Sequence, residues 1–100
     1  MRNRDMMAKL QQVQAQIARA QAEMQTKQVE GSAGGGAVKV VVNGGMKVES
    51  LVIDRDVIDP EDAEMLQDLI IAAMNEALEG VSKLQMQQAS GLAGMMGLGL

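Results

Sequence analysis

The chain contains no cysteine, no histidine and no Phe, Tyr or Trp. Without Cys there is no disulfide framework and no thiolate nucleophile; without His there is no imidazole base and no usual transition-metal ligand. The remaining hydroxyls are Thr26, Ser32, Ser50, Ser82 and Ser90, and no His or evident Lys partner stands near any of them in sequence to activate it. Most enzyme mechanisms are thereby removed, and the expectation is a non-enzyme with no catalytic residue, no metal and no cofactor. An oxygen-ligated Mg²⁺ enzyme resting on Asp54 or Asp56 stays open as a reading of the carboxylates. The missing aromatics also exclude base stacking on single-stranded nucleic acid. They leave the core to Val, Leu, Ile, Ala and 10 Met, which is an adaptable and less sharply specified set.

Long apolar runs are missing too. Nothing approaches the roughly 18 residues that would span a bilayer. The opening Met1-Arg2-Asn3-Arg4-Asp5 leads into a Gln-rich segment, without the apolar stretch of about 7–15 residues of a signal peptide. The expectation is a cytoplasmic protein with no membrane partner.

At 100 residues the chain has room for one core, and a globule of that length has a radius of gyration of about 13 Å. Apolar residues at Met6, Leu10, Val13, Ile17, Ala20 and Met24 alternate spacings of four and three, which is a seam along one side of a helix. A short strand at Val29-Glu30-Gly31-Ser32 and the glycines Gly34-Gly35-Gly36 follow. The β-branched run 37–42, then Asn43-Gly44 as a type I′ hairpin turn, then a return strand over 46–53 predict a three-stranded antiparallel meander. Asp59-Pro60-Glu61-Asp62 reads as the start of a second helix, with Asp59 capping and the acids at the positive end of the dipole. Leu66, Leu69, Ile70, Ala73, Met74, Ala77, Leu78, Val81 and Leu84 carry its apolar face toward Gln88. The expectation is an α+β fold of order α-β-β-β-α, with a single domain over 1–88 and a flexible, disordered Gly/Met/Leu tail over 89–100.

Helices of about 23 and 28 residues are roughly 34 and 42 Å long, against strands of about 17–20 Å. Three such strands cannot cover both apolar faces, so a twofold homodimer is expected, with Leu10, Val13, Ile17, Met24, Leu69 and Met74 as interface candidates. A monomer with its helices packed on each other is the competing arrangement.

Two motifs fail on inspection. The glycines at 31 and 34–36 lack the Gly-Lys-Ser/Thr ending of a phosphate loop and lead into a strand, so a hairpin connection accounts for them better. The acids from Asp54 to Glu64 miss the order of a calcium loop, and helix capping with a solvated acidic face explains them. Charge distribution is more informative than the net of −4. Residues 1–28 hold five cations, Arg2, Arg4, Lys9, Arg19 and Lys27, against Asp5 and Glu23, a balance of +3. Residues 54–80 hold Arg55 against nine acids, a balance of −8. A dimer would double the basic segment and direct it at phosphates. The same charges could equally serve solubility alone.

Several segments, taken in order, resemble the YbaB/EbfC family of nucleoid-associated proteins. The Gln- and Met-rich first helix, Glu30-Gly31-Ser32-Ala33-Gly34-Gly35-Gly36-Ala37-Val38-Lys39-Val40, Asn43-Gly44, Val52-Ile53-Asp54 and the run from Leu66 to Ala77 are similar to that family's elements, and the likeness covers about residues 7–88. It implies a tweezer-shaped homodimer in the nucleoid that binds double-stranded DNA through helical parts and alters its conformation, with effects on nucleoid organisation, DNA protection and transcription. Arg2, Arg4, Lys9, Arg19 and Lys27 are the candidate phosphate contacts. Against that likeness, Arg2 and Arg4 stand where a Gly/Met-rich leader would be expected, and Gln stands where relatives commonly place Lys. A protein-interaction adaptor is the alternative, its Met-rich helices or tail docking a protein partner such as a DNA-repair or chaperone component.

Overall fold

A computed structural model of the chain describes residues 2–95 and 97. The elements run α1 (Arg2–Thr26), β1 (Gln28–Ala33), β2 (Val38–Asn43), β3 (Val48–Ile53), a single 3₁₀ turn (Arg55–Val57) and α2 (Ala63–Met95). This is the expected α-β-β-β-α order. The strands form one antiparallel sheet in the order β1-β2-β3.

Alternation along β2 decides which face is covered. Val38, Val40 and Val42 are fully buried while Lys39 between them is exposed, the period of two that puts successive side chains on opposite faces. Facing the three valines, α2 contributes Ala73, Ala77 and Val81. Among the described residues no fully buried side chain is larger than Val, and small side chains let helix and sheet approach closely. At Gly31 the approach is closest: a Cβ there would overlap the Ala73 carbonyl oxygen and lie 2.5 Å from the Ala77 amide nitrogen. On the opposite face, Glu49 accepts hydrogen bonds from Gln28 Nε2 (2.7 Å) and Asn43 Nδ2 (3.4 Å), so polar groups cross all three strands there.

Turn chemistry differs from the expectation in the second hairpin. A two-residue type I′ turn would need positive φ at its central residues, but the left-handed residue is Met46, at φ 65°. The Met46 amide donates to the Asn43 carbonyl at 3.0 Å, and Asn43 Oδ1 accepts from the amides of Gly45 (2.8 Å) and Lys47 (3.2 Å). The asparagine side chain thus organises a longer loop, and the register slips by one residue between Val41 and Val42. Gly44 meets a different requirement, since a Cβ there would overlap the Met24 carbonyl oxygen. In the first hairpin, Gly34, Gly35 and Gly36 all have positive φ, which confirms the hairpin role of that run.

Both ends of α2 shift from expectation. The cap is Asp62, whose Oδ1 accepts from the Met65 amide at 3.2 Å; Asp59 Oδ1 instead accepts from Glu61 N at 2.9 Å in the turn before it. The helix therefore begins at Ala63, after Pro60, and it runs past Gln88 to Met95. Packing favours the extension, because Ala93 is buried. Met1 and positions 96 and 98–100 of the expected tail lie outside the described residues. The radius of gyration is 19.7 Å, with extents of 72 × 23 × 16 Å, well above the value for a globule because the helices project beyond the sheet.

Substituting Gly31→Val would force Cβ into the α2 backbone, and a loss of about 3 kcal/mol is expected, the upper part of the range for overpacked cores. Urea unfolding followed by far-UV circular dichroism measures it; an unchanged midpoint would contradict the close helix–strand contact.

Candidate nucleic-acid interface

The seam on α1 has two parts with different surroundings. Its C-terminal part is held: Met24 is only 4% exposed, the Gly44 amide donates to the Lys27 carbonyl at 3.0 Å, and Gln88 Nε2 donates to the Ala20 carbonyl. A groove of about 280 Å³ between the helices is lined by Ala20, Glu23, Met24, Lys27, Leu84 and Gly91, among others. Toward the N-terminus, Ala20, Ile17 and Val13 are half-buried, and then Leu10 and Met6 are 58% and 62% exposed. The first turns of α1 therefore form an arm that continues the seam with no neighbour among the described residues to cover it.

Of the candidate cations, Arg4 and Lys9 lie on this arm, Arg19 lies on the held part of α1, and Lys27 lies just past the end of the helix. Arg4, Lys9, Arg19 and Lys27 are all exposed; the side chain of Arg2 lies outside the described residues. They are spread out: Lys9 and Arg19 are ten residues apart, about 15 Å along the axis, and about 80° apart around it. Lys27 shares the helix–helix groove with Glu23. The result is a line of separated cations along a rod. Lys47, absent from the sequence candidates, joins the C-terminal end of that line, because a small cavity lined by Gln25, Asn43, Gly45 and Lys47 places the hairpin loop beside α1. Its 20-residue separation from Lys27 hid this; only the fold of the second hairpin brings them near.

Asp5 and Glu23 are the carboxylates of α1 itself, and most of the other acidic residues lie elsewhere. Asp54 Oδ1 accepts from Asp56 N at 3.0 Å, and Asp59 and Asp62 hold the turns leading into α2. Glu64, Asp68, Glu76 and Glu79 lie exposed on α2. Among the described residues no group of three or more carboxylates is placed to hold a metal ion, and no helix is long and apolar enough to cross a membrane.

A second apolar surface flanks the core. Leu51 pairs with buried Val40 across the sheet, so it points to the helix-covered face, yet it is 46% exposed, and Val48 is 50% exposed. The reason is placement: α2 touches Gly31 and Val29 of β1 through Ala73, Ala77 and Gly80, too far across the sheet to cover β3. Of the expected interface residues, Met74 is half-buried at the edge of the core. Leu69 faces Gly34, with its Cδ2 3.1 Å from where a Cβ would stand. Met24 is buried within the protomer, Ile17 and Val13 are half-buried along α1, and Leu10 is exposed on the arm.

The model of the YbaB/EbfC DNA-binding family matches residues 1–96. The chain belongs to this family. It is 49% identical over 88 residues to a nucleoid-associated protein of Syntrophobacter fumaroxidans, covering 88% of this chain and 80% of that one. With a nucleoid-associated protein of Alkaliphilus metalliredigens the identity is 44% over 94 residues, covering 94% and 82%. The crystal structure of an uncharacterized protein from Helicobacter pylori has the same fold, with a TM-score of 0.78 at 22% identity over 87% of this chain and 91% of that one. Membership in a DNA-binding family makes DNA the partner to test against the basic arm. In this YbaB/EbfC member the arm rests on the rest of the protein only from about Val13 onward, so the amides of residues 6–12 are expected to exchange with deuterium much faster than those of β2 or of α2 at Ala73–Val81. Equal protection along α1 in hydrogen-exchange mass spectrometry would show that the arm is covered in solution.

Proposed function

We propose that this protein acts in the cytoplasm as a nucleoid-associated protein, binding duplex DNA as a homodimer with little sequence preference and altering its conformation. Effects on nucleoid organisation, DNA protection and gene expression would follow from that binding. The observation that carries the reading is the segregation of charge in three dimensions. Arg4, Lys9, Arg19 and Lys27, with Lys47 beside them, outnumber Asp5 and Glu23 along the projecting α1 rod, while Glu64, Asp68, Glu76 and Glu79 outnumber Lys83 on the exposed surface of α2. A chain of net charge −4 approaches a polyanion productively only through such a local basic surface. Separated cations on a rod suit contact with successive phosphates, which fix position without reading sequence. The names of the relatives, nucleoid-associated proteins at 44–49% identity, support the same reading.

The dimer is argued from the uncovered part of the sheet. At 100° per residue, Ile71, Met74 and Leu78 fall on the flank of α2 that follows Val81 around the helix, and Val48 and Leu51 of β3 are exposed beside the same core. A twofold copy on this surface would cover β3 and carry two arms on one body. Leu10 and Val13 lie off that surface, out on the arm.

Two measurements test the reading. Light scattering is expected to give twice the chain mass for the wild type and the single-chain mass for Leu51→Glu, a substitution at an exposed position that leaves the protomer core intact. Fluorescence anisotropy with a labelled duplex is expected to show binding that weakens as salt rises, because each neutralised phosphate releases counterion. Replacing both Lys9 and Arg19 with Gln is expected to lower the affinity and flatten the salt slope by about two contacts. Absence of binding at low salt would shift the reading to a protein-interaction adaptor; unchanged affinity in an intact dimer would remove Lys9 and Arg19 from the interface.

A further inference from the structure

We infer that the apolar stripe at the tip of the arm, Met6 and Leu10, contacts thymine 5-methyl groups in the major groove while Lys9 beside it meets the phosphate backbone; the inference rests on the DNA-binding reading above. Three observations carry it. Met6 and Leu10 are 62% and 58% exposed, no other described segment covers them, and they continue the seam that α2 covers further along. Met6, Lys9, Leu10 and Val13 together line one shallow, open stretch of the helix surface, so an apolar strip and a cation share it. Arg4 is exposed in the same first turns beside Asp5, so the tip carries Arg4 and Lys9 against one carboxylate and keeps a net positive charge.

The partner that suits this surface is polyanionic outside and apolar within reach. A second copy of the arm fits poorly: its Arg4 and Lys9 against one Asp5 would bring like net charge together, and a few side chains at one helix end fall short of the roughly 800 Å² per partner of a standard protein interface. Duplex DNA fits on both counts. An α-helix about 10–12 Å across enters a major groove about 12 Å wide, where thymine presents its methyl group as the one apolar mark on a base edge. Met6 and Leu10 are four residues apart, about 6 Å along the helix axis. Base pairs rise about 3.4 Å each, so the two side chains match methyl groups two steps apart. Contact of this kind adds a mild preference for A·T-rich duplex to binding that the phosphates dominate.

The test compares two labelled duplexes of one A·T-rich sequence, one with thymine and one with uracil throughout, which differ in the methyl groups. The full chain and its Met6→Ala/Leu10→Ala variant are titrated against both by anisotropy, with mass checked by light scattering; alanine keeps the helix favourable. The wild type is expected to bind the thymine duplex about four-fold tighter for each methyl contact made, from a transfer free energy of about 0.8 kcal/mol per buried carbon group. The variant is expected to bind both duplexes equally, with the salt slope of the wild type. Equal binding of the two duplexes by the wild type, or discrimination that survives in the variant, overturns the inference while leaving the DNA-binding reading in place. A fall in mass for the variant without thymine discrimination in the wild type would overturn it in favour of a stripe that joins protein copies. Absence of salt-sensitive binding to either duplex is the separate failure of the DNA-binding reading itself, and this inference falls with it.

Discussion

The close approach of α2 to β1, where Gly31 lies directly beneath the backbone of Ala73 and Ala77, sets the geometry of everything around it. A chain without aromatics cannot fill a wide space between helix and sheet, so its helix and sheet close the distance instead, with Val38, Val40, Val42, Ala73, Ala77 and Val81 meeting at the interface. Small side chains are needed on both sides of such a contact, and the glycine in β1 supplies the smallest. The helix is thereby committed to β1 and β2. A three-stranded sheet is wider than one helix, and β3 keeps Val48 and Leu51 half in solvent.

The same contact determines what α1 can do. Because α2 lies on the sheet and runs on to Met95, its far end projects past the strands and gives α1 a partner there through Ala20, Met24 and Gln88. The hairpin loop organised by Asn43 holds the other side of Met24 through Gly44. Two neighbours thus grip the C-terminal part of α1, and no other described segment covers its N-terminal turns. The cations of α1 gain reach from this arrangement, and the separation of basic rod from acidic α2 face is its electrostatic outcome.

Element order was legible in the sequence because each element carries its own periodicity: four-and-three spacing in α1, β-branched alternation in β2, helical spacing from Leu66 to Leu84. Boundaries were less so. Asp59 and Asp62 are chemically equivalent as caps, and which one caps α2 depends on where Pro60 directs the chain. Ala89 to Met95 reads as tail by composition, yet it is helical to Met95, with Ala93 buried. Asn43-Gly44 signalled a hairpin correctly, but the glycine is required by its nearness to Met24, a residue 20 positions away.

Of the candidate site, residue types and charge asymmetry came from the sequence alone, since counting cations in residues 1–28 requires no coordinates. The excess of apolar helix surface over what three strands can cover was likewise a matter of lengths. Which apolar residues stay open was decided by tertiary structure: Met24 and Leu10 occupy the same seam, yet one is buried and the other exposed, because α2 and the hairpin reach only part of α1. Lys47 joined the basic surface for the same reason. Periodicity and composition are properties of neighbours along the chain, whereas coverage depends on which distant segment arrives at each face, and here that followed from how near a glycine let a helix come to its sheet.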